Sequence, residues 1–282
     1  MLNKKFTSIF YFFAPIIATI TGILTVKSYE IPVGVFYPNL AAIIIGICLS
    51  LVIIYKWKNV KLVQIKIMAI LSLLFLVSSF VFPAQLNVHR WISIDDLHIN
   101  ISFIIIPVIL FCIHCFLQSK NFVFAIILFV VTGITLTIQP DAGQATSFAL
   151  GALILFAMDK TNLALFFGAF ITVAIIIANS WLRVDLLEPV EYVEEILYMI
   201  RSLGLIGYFA ILLTAVFSFY PFISMITKPG RALPIAFTIY LLSTFVVTEF
   251  GHYPVPLLGA GASPIIGWYL MLAFIFKQST SP

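Results

Sequence analysis

A run of polar side chains follows Pro189, in a part of the chain that is otherwise apolar. The side chains recur at spacings of three, four and seven residues, and they are Glu191, Glu194, Glu195, Tyr198 and Arg201. Because a helix has about 3.6 residues per turn, this spacing predicts that they share one helix face, and proline is a common first residue of a helix. A partly desolvated carboxylate has a raised pKa, so Glu194 or Glu195 is a candidate general base.

Arg201 is the member of this run that ordinary helix preferences do not explain. Acidic residues in a first helical turn are favoured by the helix dipole, which accounts for the glutamates without any function. Arg201 lies about two turns further along, inside an apolar run, where a cation is costly unless it faces a cavity or a carboxylate. The pattern therefore predicts that Arg201 lines a polar groove that binds a substrate headgroup.

Three further polar strings lie at the ends of apolar runs. They are His89-Arg90-Trp91-Ile92, Gln139-Pro140-Asp141-Ala142-Gly143 and Tyr253-Pro254-Val255-Pro256. A guanidinium binds phosphate oxygens through paired hydrogen bonds, so Arg90, with Trp91 beside it, is suited to contact a phosphate-bearing substrate. Anchoring of an arginine and a tryptophan at the membrane interface would explain the same pair without a substrate.

Asp141 follows a proline and precedes two small residues, which is typical of the N-cap of a helix. A structural cap would account for this carboxylate without a ligand. On the functional interpretation, Asp141 and Gln139 line the mouth of a cavity and hold a substrate or a cation. The three strings lie at the ends of predicted helices that reach the same, external face of the membrane. We therefore expect Arg90, Asp141 and Pro256 to meet around one external cavity.

The composition indicates what kind of protein carries these residues. Hydrophobic residues make up 62% of the 282 positions and charged residues 9%, a balance that would not keep a soluble domain of this size in solution. We therefore predict an all-α polytopic membrane protein that forms a single integral membrane domain over residues 1–282. The three cysteines lie in apolar runs and are interpreted as small buried hydrophobes, and no spacing typical of a metal site occurs.

Ten apolar runs are predicted to be membrane helices, because backbone in hydrocarbon must satisfy its own hydrogen bonds. The runs cover residues 7–26, 36–55, 64–82, 100–117, 121–138, 144–158, 162–180, 194–219, 233–249 and 257–276.

The basic residues predict how these helices are oriented. If both termini are cytoplasmic, eleven of the fifteen basic residues lie inside, as the positive-inside rule favours. The eleven are Lys4, Lys5, Lys56, Lys58, Lys61, Lys66, Lys120, Lys160, Lys228, Arg231 and Lys277. The net charge of +4 then reflects membrane orientation, and no nucleic-acid partner is expected.

The three strings, in this order and at these helix ends, resemble the motifs of the SEDS family (shape, elongation, division and sporulation), which includes RodA and FtsW. Members carry Gly-x-x-Arg-Trp-Ile before the fourth span, Gln-Pro-Asp-x-Gly-Thr before the sixth, and Pro-Leu-Pro-Phe-x-Ser-Tyr-Gly-Gly-Ser before the tenth. The resemblance implies a ten-span protein of the bacterial cytoplasmic membrane. It implies a glycosyltransferase that polymerises a polyprenyl-diphosphate-linked sugar of the lipid II type into peptidoglycan at the outer face, for cell shape or division. It also implies a single-span partner similar to a penicillin-binding protein, besides the membrane lipids.

The chain departs from the family pattern within the motifs. Asn87 stands where the first motif has glycine, and residues 100–103 stand where members have Gln-Pro-x-Glu. Residues 259–262, Gly-Ala-Gly-Ala, replace the Ser-Tyr-Gly-Gly core of the third motif.

A further departure concerns the loop between spans seven and eight, which holds an essential aspartate in the family. Here this loop shrinks to residues 181–193. Counting back without gaps from Leu203-Gly204, which resembles a Leu-Gly pair of the family, places the aspartate position at Val193. Glu194 stands beside it, so the carry-over of the catalytic role rests on a neighbouring carboxylate.

Three functions are compatible with these residues. The first is the SEDS-like glycosyltransferase, in which Arg90 neutralises the leaving diphosphate and Glu194 or Glu195 deprotonates the attacking sugar hydroxyl. The second is a non-catalytic SEDS-like subunit that binds a partner or a lipid. The third is a transporter or lipid flippase, for which Arg201 and His114 are the membrane charges to consider. No cofactor is expected, although a divalent cation is compatible with an acidic external face.

The predicted orientation can be tested by labelling. A cysteine placed at Ser279 should not react with a membrane-impermeant thiol reagent added outside intact cells, because the positive-inside rule places this terminus in the cytoplasm. A cysteine at Glu188, in the loop between spans seven and eight, should react as the control. Efficient labelling at position 279 would overturn the orientation.

Overall fold

Helices make up most of the computed structural model of this protein, which describes residues 10–57, 60–94, 97–159, 163–185, 187–227 and 230–279. The helices are α1 Ala14–Ser28, α2 Tyr37–Lys56, α3 Leu62–Ser78, α4 Ile101–Gln118, α5 Phe122–Ile138, α6 Ala142–Met158, α7 Leu163–Trp181, α8 Ile196–Ser202, α9 Leu205–Ile223, α10 Ala232–Val246 and α11 Ala262–Ser279. Lys4, Lys5, Lys58, Lys160 and Lys228, five of the basic residues used above, lie outside the described residues.

The predicted all-α membrane architecture is confirmed. Each of the ten predicted apolar runs overlaps an α-helix, and the eighth run overlaps two, α8 and α9. Within the described part of the chain, six helical segments are long and apolar enough to cross a membrane, and they contain α2, α3, α4, α7, α9 and α10. Helices α1, α5 and α6 are apolar but shorter. The count of ten membrane crossings therefore stays a prediction.

Helix α11 lies at the centre of the bundle, where Trp268 and Tyr269 are fully buried. It packs against α2 and α4. Its polar atoms are satisfied across the core, because the Ser50 hydroxyl donates to the Tyr269 carbonyl at 2.8 Å and the Trp268 indole donates to the Ser218 carbonyl at 3.2 Å. Large apolar side chains on the outer helices face outward, as expected for a bundle whose solvent is lipid.

The eighth apolar run forms two helices, and the glutamates precede the first of them, which corrects the prediction of one helix with a continuous polar face. Gly204, with φ of 69°, separates α8 from α9. Glu194 and Glu195 lie before α8 rather than within it, in a turn held by backbone hydrogen bonds from Glu194 N–H to the Val190 carbonyl and from Glu195 N–H to the Glu191 carbonyl. This turn keeps a nearly helical winding, so the glutamates remain close to the face that carries Arg201.

A small antiparallel sheet was not predicted from the sequence. Strand β1, Trp91–Ile94, pairs with β2, Leu97–Asn100, and the register places Trp91 opposite Asn100 and Ser93 opposite His98. Successive side chains of a strand point to opposite faces, so these four residues share one face of the hairpin. Asn100 also ends the hairpin as the N-cap of α4, where its side chain accepts the Ser102 N–H.

The opposite end of the bundle contains a buried histidine. His114 of α4 is buried, and its Nε2 lies 2.7 Å from Nε2 of Gln278 in α11. Cys112 is buried and Cys115 is partly buried, as expected for small apolar side chains, whereas Cys48 is exposed on α2, which corrects the prediction for that residue.

Gly207 tests the packing at the break between α8 and α9, and Gly168 in α7 is its control. A Cβ added at Gly207 would overlap the Ile200 carbonyl, whereas one added at Gly168 in α7 meets no atom within 4 Å. Gly207→Ala should therefore destabilise the protein by about 1–3 kcal/mol, the usual cost of overpacking. Gly168→Ala should be neutral or stabilising by up to ~1 kcal/mol, because alanine is the better helix former. Thermal unfolding in detergent measures both, and equal effects of the two changes would contradict the packing described.

Candidate functional site

A buried ion cluster joins the first two motif strings. Arg90 is 3% exposed and donates hydrogen bonds to the carbonyl of Pro140 and to Oδ2 of Asp185. Its Nε lies 3.8 Å from Oδ2 of Asp141, which is 2% exposed. One guanidinium is thus shared by two carboxylates. Asp185 comes from the short loop after α7, so the cluster ties three separate parts of the chain together.

Asp141 is also the predicted helix cap. Its Oδ1 accepts the Gln144 N–H at 3.1 Å, at the first turn of α6, which confirms the N-cap prediction. The Ser102 hydroxyl lies 3.4 Å from its Oδ2. Burial raises the pKa of Asp141 and the nearby Asp185 carboxylate raises it further, although Arg90 and the Gln144 N–H oppose this. Asp141 is therefore both the cap of α6 and a member of the ion cluster.

Tyr253 brings the third motif string to the same place. Its ring centroid lies 5.5 Å from Cζ of Arg90 and 5.9 Å from the ring of Trp181. A Cβ added at Gly143 would lie 2.7 Å from this ring, so the glycine of the second string is needed for the tyrosine of the third to pack. The three strings meet at one end of the bundle, which we call the motif end.

The residues at the motif end do not all line a cavity, which corrects the predicted arrangement. Arg90 and Pro256 are buried in the packing between the strings, as is Asp141 apart from a space of about 10 Å³ beside it. Gln139 is fully buried, and its side-chain amide donates to the Leu76 carbonyl at 2.9 Å and to the Ser79 hydroxyl at 2.8 Å, so it fixes the end of α3. The two larger cavities of the motif end are lined by other residues than Arg90, Gln139, Asp141 and Pro256.

The first of these cavities has a volume of about 370 Å³ and is lined by the hairpin, the third string and the turn before α8. Trp91, His98 and Asn100 come from the hairpin, and Pro254 and Glu194 face them. The Ser93 hydroxyl lies 2.9 Å from Nδ1 of His98 and fixes the imidazole. The indole and the polar groups around it form a wall suited to a sugar.

The second cavity has a volume of about 520 Å³ and is lined mainly by charged and polar side chains. Its walls include Glu194, Glu195, Arg201, Glu249 and His252. Arg201 forms a two-pronged ion pair with Glu249, in which Nη1 lies 3.2 Å from Oε2 and Nη2 bonds to Oε1. The side chains are 39% and 47% exposed. Arg201 was expected to face a cavity or a carboxylate, and it faces both.

Glu194 is the carboxylate that lines both cavities. The turn that carries it is fixed to the third string, because Val255 N–H donates to the Val193 carbonyl at 3.0 Å and Ala260 N–H donates to the Tyr192 carbonyl at 2.9 Å. Its Oε2 accepts the Val190 N–H at 2.8 Å. The side chain of Glu194 is thus held in place by the backbone of its own turn while it lines both cavities.

The pKa of Glu194 is raised to about 7, mainly by burial, and the Asp185 carboxylate also raises it. Backbone hydrogen bonds and the Arg90 guanidinium oppose the shift. A carboxylate with a pKa near neutrality is suited to accept a proton from a sugar hydroxyl. Among the described residues, no group of three or more His, Cys, Asp or Glu side chains is arranged to hold a metal ion.

Sequence reasoning missed Asp185 and the hairpin. The strand residues alternate between apolar and polar types around Asp95-Asp96, a pattern that is typical of a hairpin and was available in the sequence. Asp185 carried no comparable signal, because it is an isolated acid in a short loop and its partner Arg90 is far away in the chain.

Arg90 and Arg201 should respond differently to truncation. Arg90→Ala leaves two buried carboxylates without a counter-charge, a change that typically costs about 3–5 kcal/mol. Arg201→Ala breaks a half-exposed pair, whose contribution is only about 0–1 kcal/mol. Thermal unfolding in detergent should therefore show a large loss of stability for Arg90→Ala alone. A folded, fully stable Arg90→Ala protein would contradict the structural role of the cluster.

Comparisons with known proteins were made at the level of sequence and of structure. No family model matches the sequence, and no curated protein matches it. Solved structures do match the fold. The crystal structure of the rod shape determining protein RodA of Thermus thermophilus matches with a TM-score of 0.69 and 15% identity, covering 96% of this chain and 97% of that one.

Two further structures match over the same length. An aspartate-to-alanine mutant of the same RodA matches with a TM-score of 0.71 and 14% identity, covering 96% of this chain and 98% of that one. A chain from a study of the structural coordination of polymerization and crosslinking by a peptidoglycan synthase complex matches with a TM-score of 0.65 and 15% identity, covering 96% and 98%. The chain therefore has the fold of RodA, and the resemblance to the SEDS family that its three motif strings indicate is confirmed at the level of the fold.

Proposed function

We propose that this protein is a SEDS-type glycosyltransferase that polymerises a polyprenyl-diphosphate-linked sugar at the outer face of a bacterial cytoplasmic membrane. The observation that carries the proposal is the position of Glu194, whose side chain lines both cavities of the motif end. A polymerase must bring two sugar substrates together at one proton acceptor. A carboxylate on the wall between two cavities, with a pKa of about 7, meets that requirement.

The polar second cavity is assigned to the donor, because it contains a half-exposed guanidinium. Arg201 can exchange part of its contact with Glu249 for the oxygens of a diphosphate. Arg90 is not assigned this role, since its hydrogen bonds are directed to Pro140 and Asp185 inside the packed cluster. The cluster instead holds the walls of the site in place.

The first cavity is assigned to the sugar that attacks. Its hydroxyl oxygen forms a bond to the anomeric carbon of the donor, and the bond from that carbon to the diphosphate oxygen breaks. The proton of the hydroxyl passes to Glu194, and the diphosphate leaves with the polyprenyl chain. Trp91 offers an apolar face for the sugar ring.

The fold supports the remaining parts of the proposal. A related fold occurs in a peptidoglycan synthase complex, which supports a single-span partner similar to a penicillin-binding protein. Substrate lipids and the surrounding bilayer complete the setting. A transporter is less well supported, because His114 is bonded to Gln278 and Arg201 lies beside an open cavity at the motif end.

Replacing Glu194 tests the proposal directly. With a polyprenyl-diphosphate disaccharide in liposomes, Glu194→Gln should lower turnover by roughly two to four orders of magnitude while binding changes little, the usual result of removing a general base. Glu195→Gln is the matched control and should cost far less, because Glu195 lines only the second cavity.

The pH dependence of kcat/KM tests the role of Glu194 in a second way. The base must be deprotonated, so kcat/KM of the wild type should rise with pH through about 7, and this limb should be absent from the Glu194→Gln profile. If the wild type polymerises no lipid-linked sugar, and cells grow normally with both glutamates neutralised, the protein is a non-catalytic subunit and the proposal is wrong.

A further inference from the structure

Asp185 is a buried acid to which the mechanism above gives no part. Its side chain is 6% exposed. Oδ2 accepts a hydrogen bond from Arg90, and Oδ1 accepts the Leu187 N–H at 3.1 Å. One carboxylate therefore connects the buried ion cluster to the backbone of the loop that leads from α7 to Glu194.

The rest of this loop offers few such attachments. Leu182, Arg183, Val184 and Glu188 are exposed. The next fixed points are the carbonyls of Tyr192 and Val193, which accept hydrogen bonds from the third string. Asp185 is thus the inward anchor at the start of the segment, and Glu194 follows the second anchor directly.

We infer that Asp185 is a positioning residue of the proposed transferase, which holds the loop that carries Glu194 and sets the electrostatic field beside it. The inference rests on the proposed function for its kinetic consequences. Asp185 itself is not expected to touch substrate, because it lines neither cavity and Arg90 occupies one of its oxygens.

The charges around Glu194 determine the direction of the effect. The titratable and charged groups that line the cavities with Glu194, neighbour it in the chain or act on its pKa come from four parts of the protein. They are Glu191, Tyr192, Glu195, Tyr198 and Arg201 along its own segment, His98 from the hairpin, Glu249 and His252 after α10, and Arg90 and Asp185 from the cluster. Asp185 raises the pKa of Glu194 and Arg90 lowers it. Removing the charge of Asp185 leaves Arg90 less compensated, so Glu194 should ionise at lower pH.

The test compares Asp185→Asn with Glu188→Gln, an exposed acid of the same loop. With a polyprenyl-diphosphate disaccharide in liposomes, Asp185→Asn should move the acid limb of kcat/KM to lower pH and reduce kcat about tenfold, with KM changed less, because a misplaced base slows the chemical step. Glu188→Gln should leave both the limb and kcat as in the wild type. An Asp185→Asn profile with the wild-type limb would overturn the inference.

Asp185→Glu separates the effect of the charge at position 185 from the effect of its placement. This variant also provides the test if the Asp185→Asn protein does not fold. The longer carboxylate keeps the charge but displaces the loop, so kcat should fall while the acid limb stays in place. An unchanged kcat for Asp185→Glu would contradict the positioning role.

Infrared titration distinguishes failure of this inference from failure of the proposed function. The protonated-carboxyl band that disappears in Glu194→Gln reports the ionisation of Glu194 in the whole protein without any substrate. This band should titrate at lower pH in Asp185→Asn even if the wild type shows no polymerisation. An inactive wild type refutes the transferase, whereas an unmoved band in Asp185→Asn refutes the coupling.

Discussion

The ion cluster of Arg90, Asp141 and Asp185 is the interaction on which the motif end depends. Each charge lies in a poorly solvated position, where an unpaired guanidinium or carboxylate would cost several kcal/mol. The three residues come from separate segments of the chain, so the cluster is complete only when all three segments are in place. Tyr253 packs over the same guanidinium and adds the third motif string. The cluster thereby couples the chain segments that form the motif end.

The candidate site is built on that rigid base but does not coincide with it. Glu194 lies on a turn that is bonded to the third string at one side and is connected through Asp185 to the cluster at the other. The two cavities open on either side of this turn. Buried charges thus hold the structure, whereas the partly buried Glu194 and the half-exposed Arg201 line the cavities and are left for chemistry. This division explains why Arg90, although it is the most conspicuous cation of the motif strings, is better suited to architecture than to binding.

The sequence predicted those features that arise from local physics. Hydrophobic runs predicted the helices, and the Pro-Asp-small pattern predicted the Asp141 cap. The cost of a cation in an apolar run predicted that Arg201 faces a cavity or a carboxylate, and it pairs with Glu249 beside a cavity. Features that depend on long-range pairing were not predicted. Nothing near Asp185 indicates that it meets Arg90, and the break at Gly204 was hidden because hydropathy continues across it. The hairpin is an intermediate case, because the alternation of apolar and polar residues along its strands is visible in the sequence but short.

The most direct measurement of the central claim is an electron cryomicroscopy structure of the protein with a polyprenyl-diphosphate disaccharide in nanodiscs. The account predicts density for a sugar at the motif end, with one of its hydroxyl groups within hydrogen-bond distance of the Glu194 carboxylate, and the cluster of Arg90, Asp141 and Asp185 intact beneath it. A headgroup seated away from both cavities, or a diphosphate bound to Arg90 with Asp185 displaced, would contradict it.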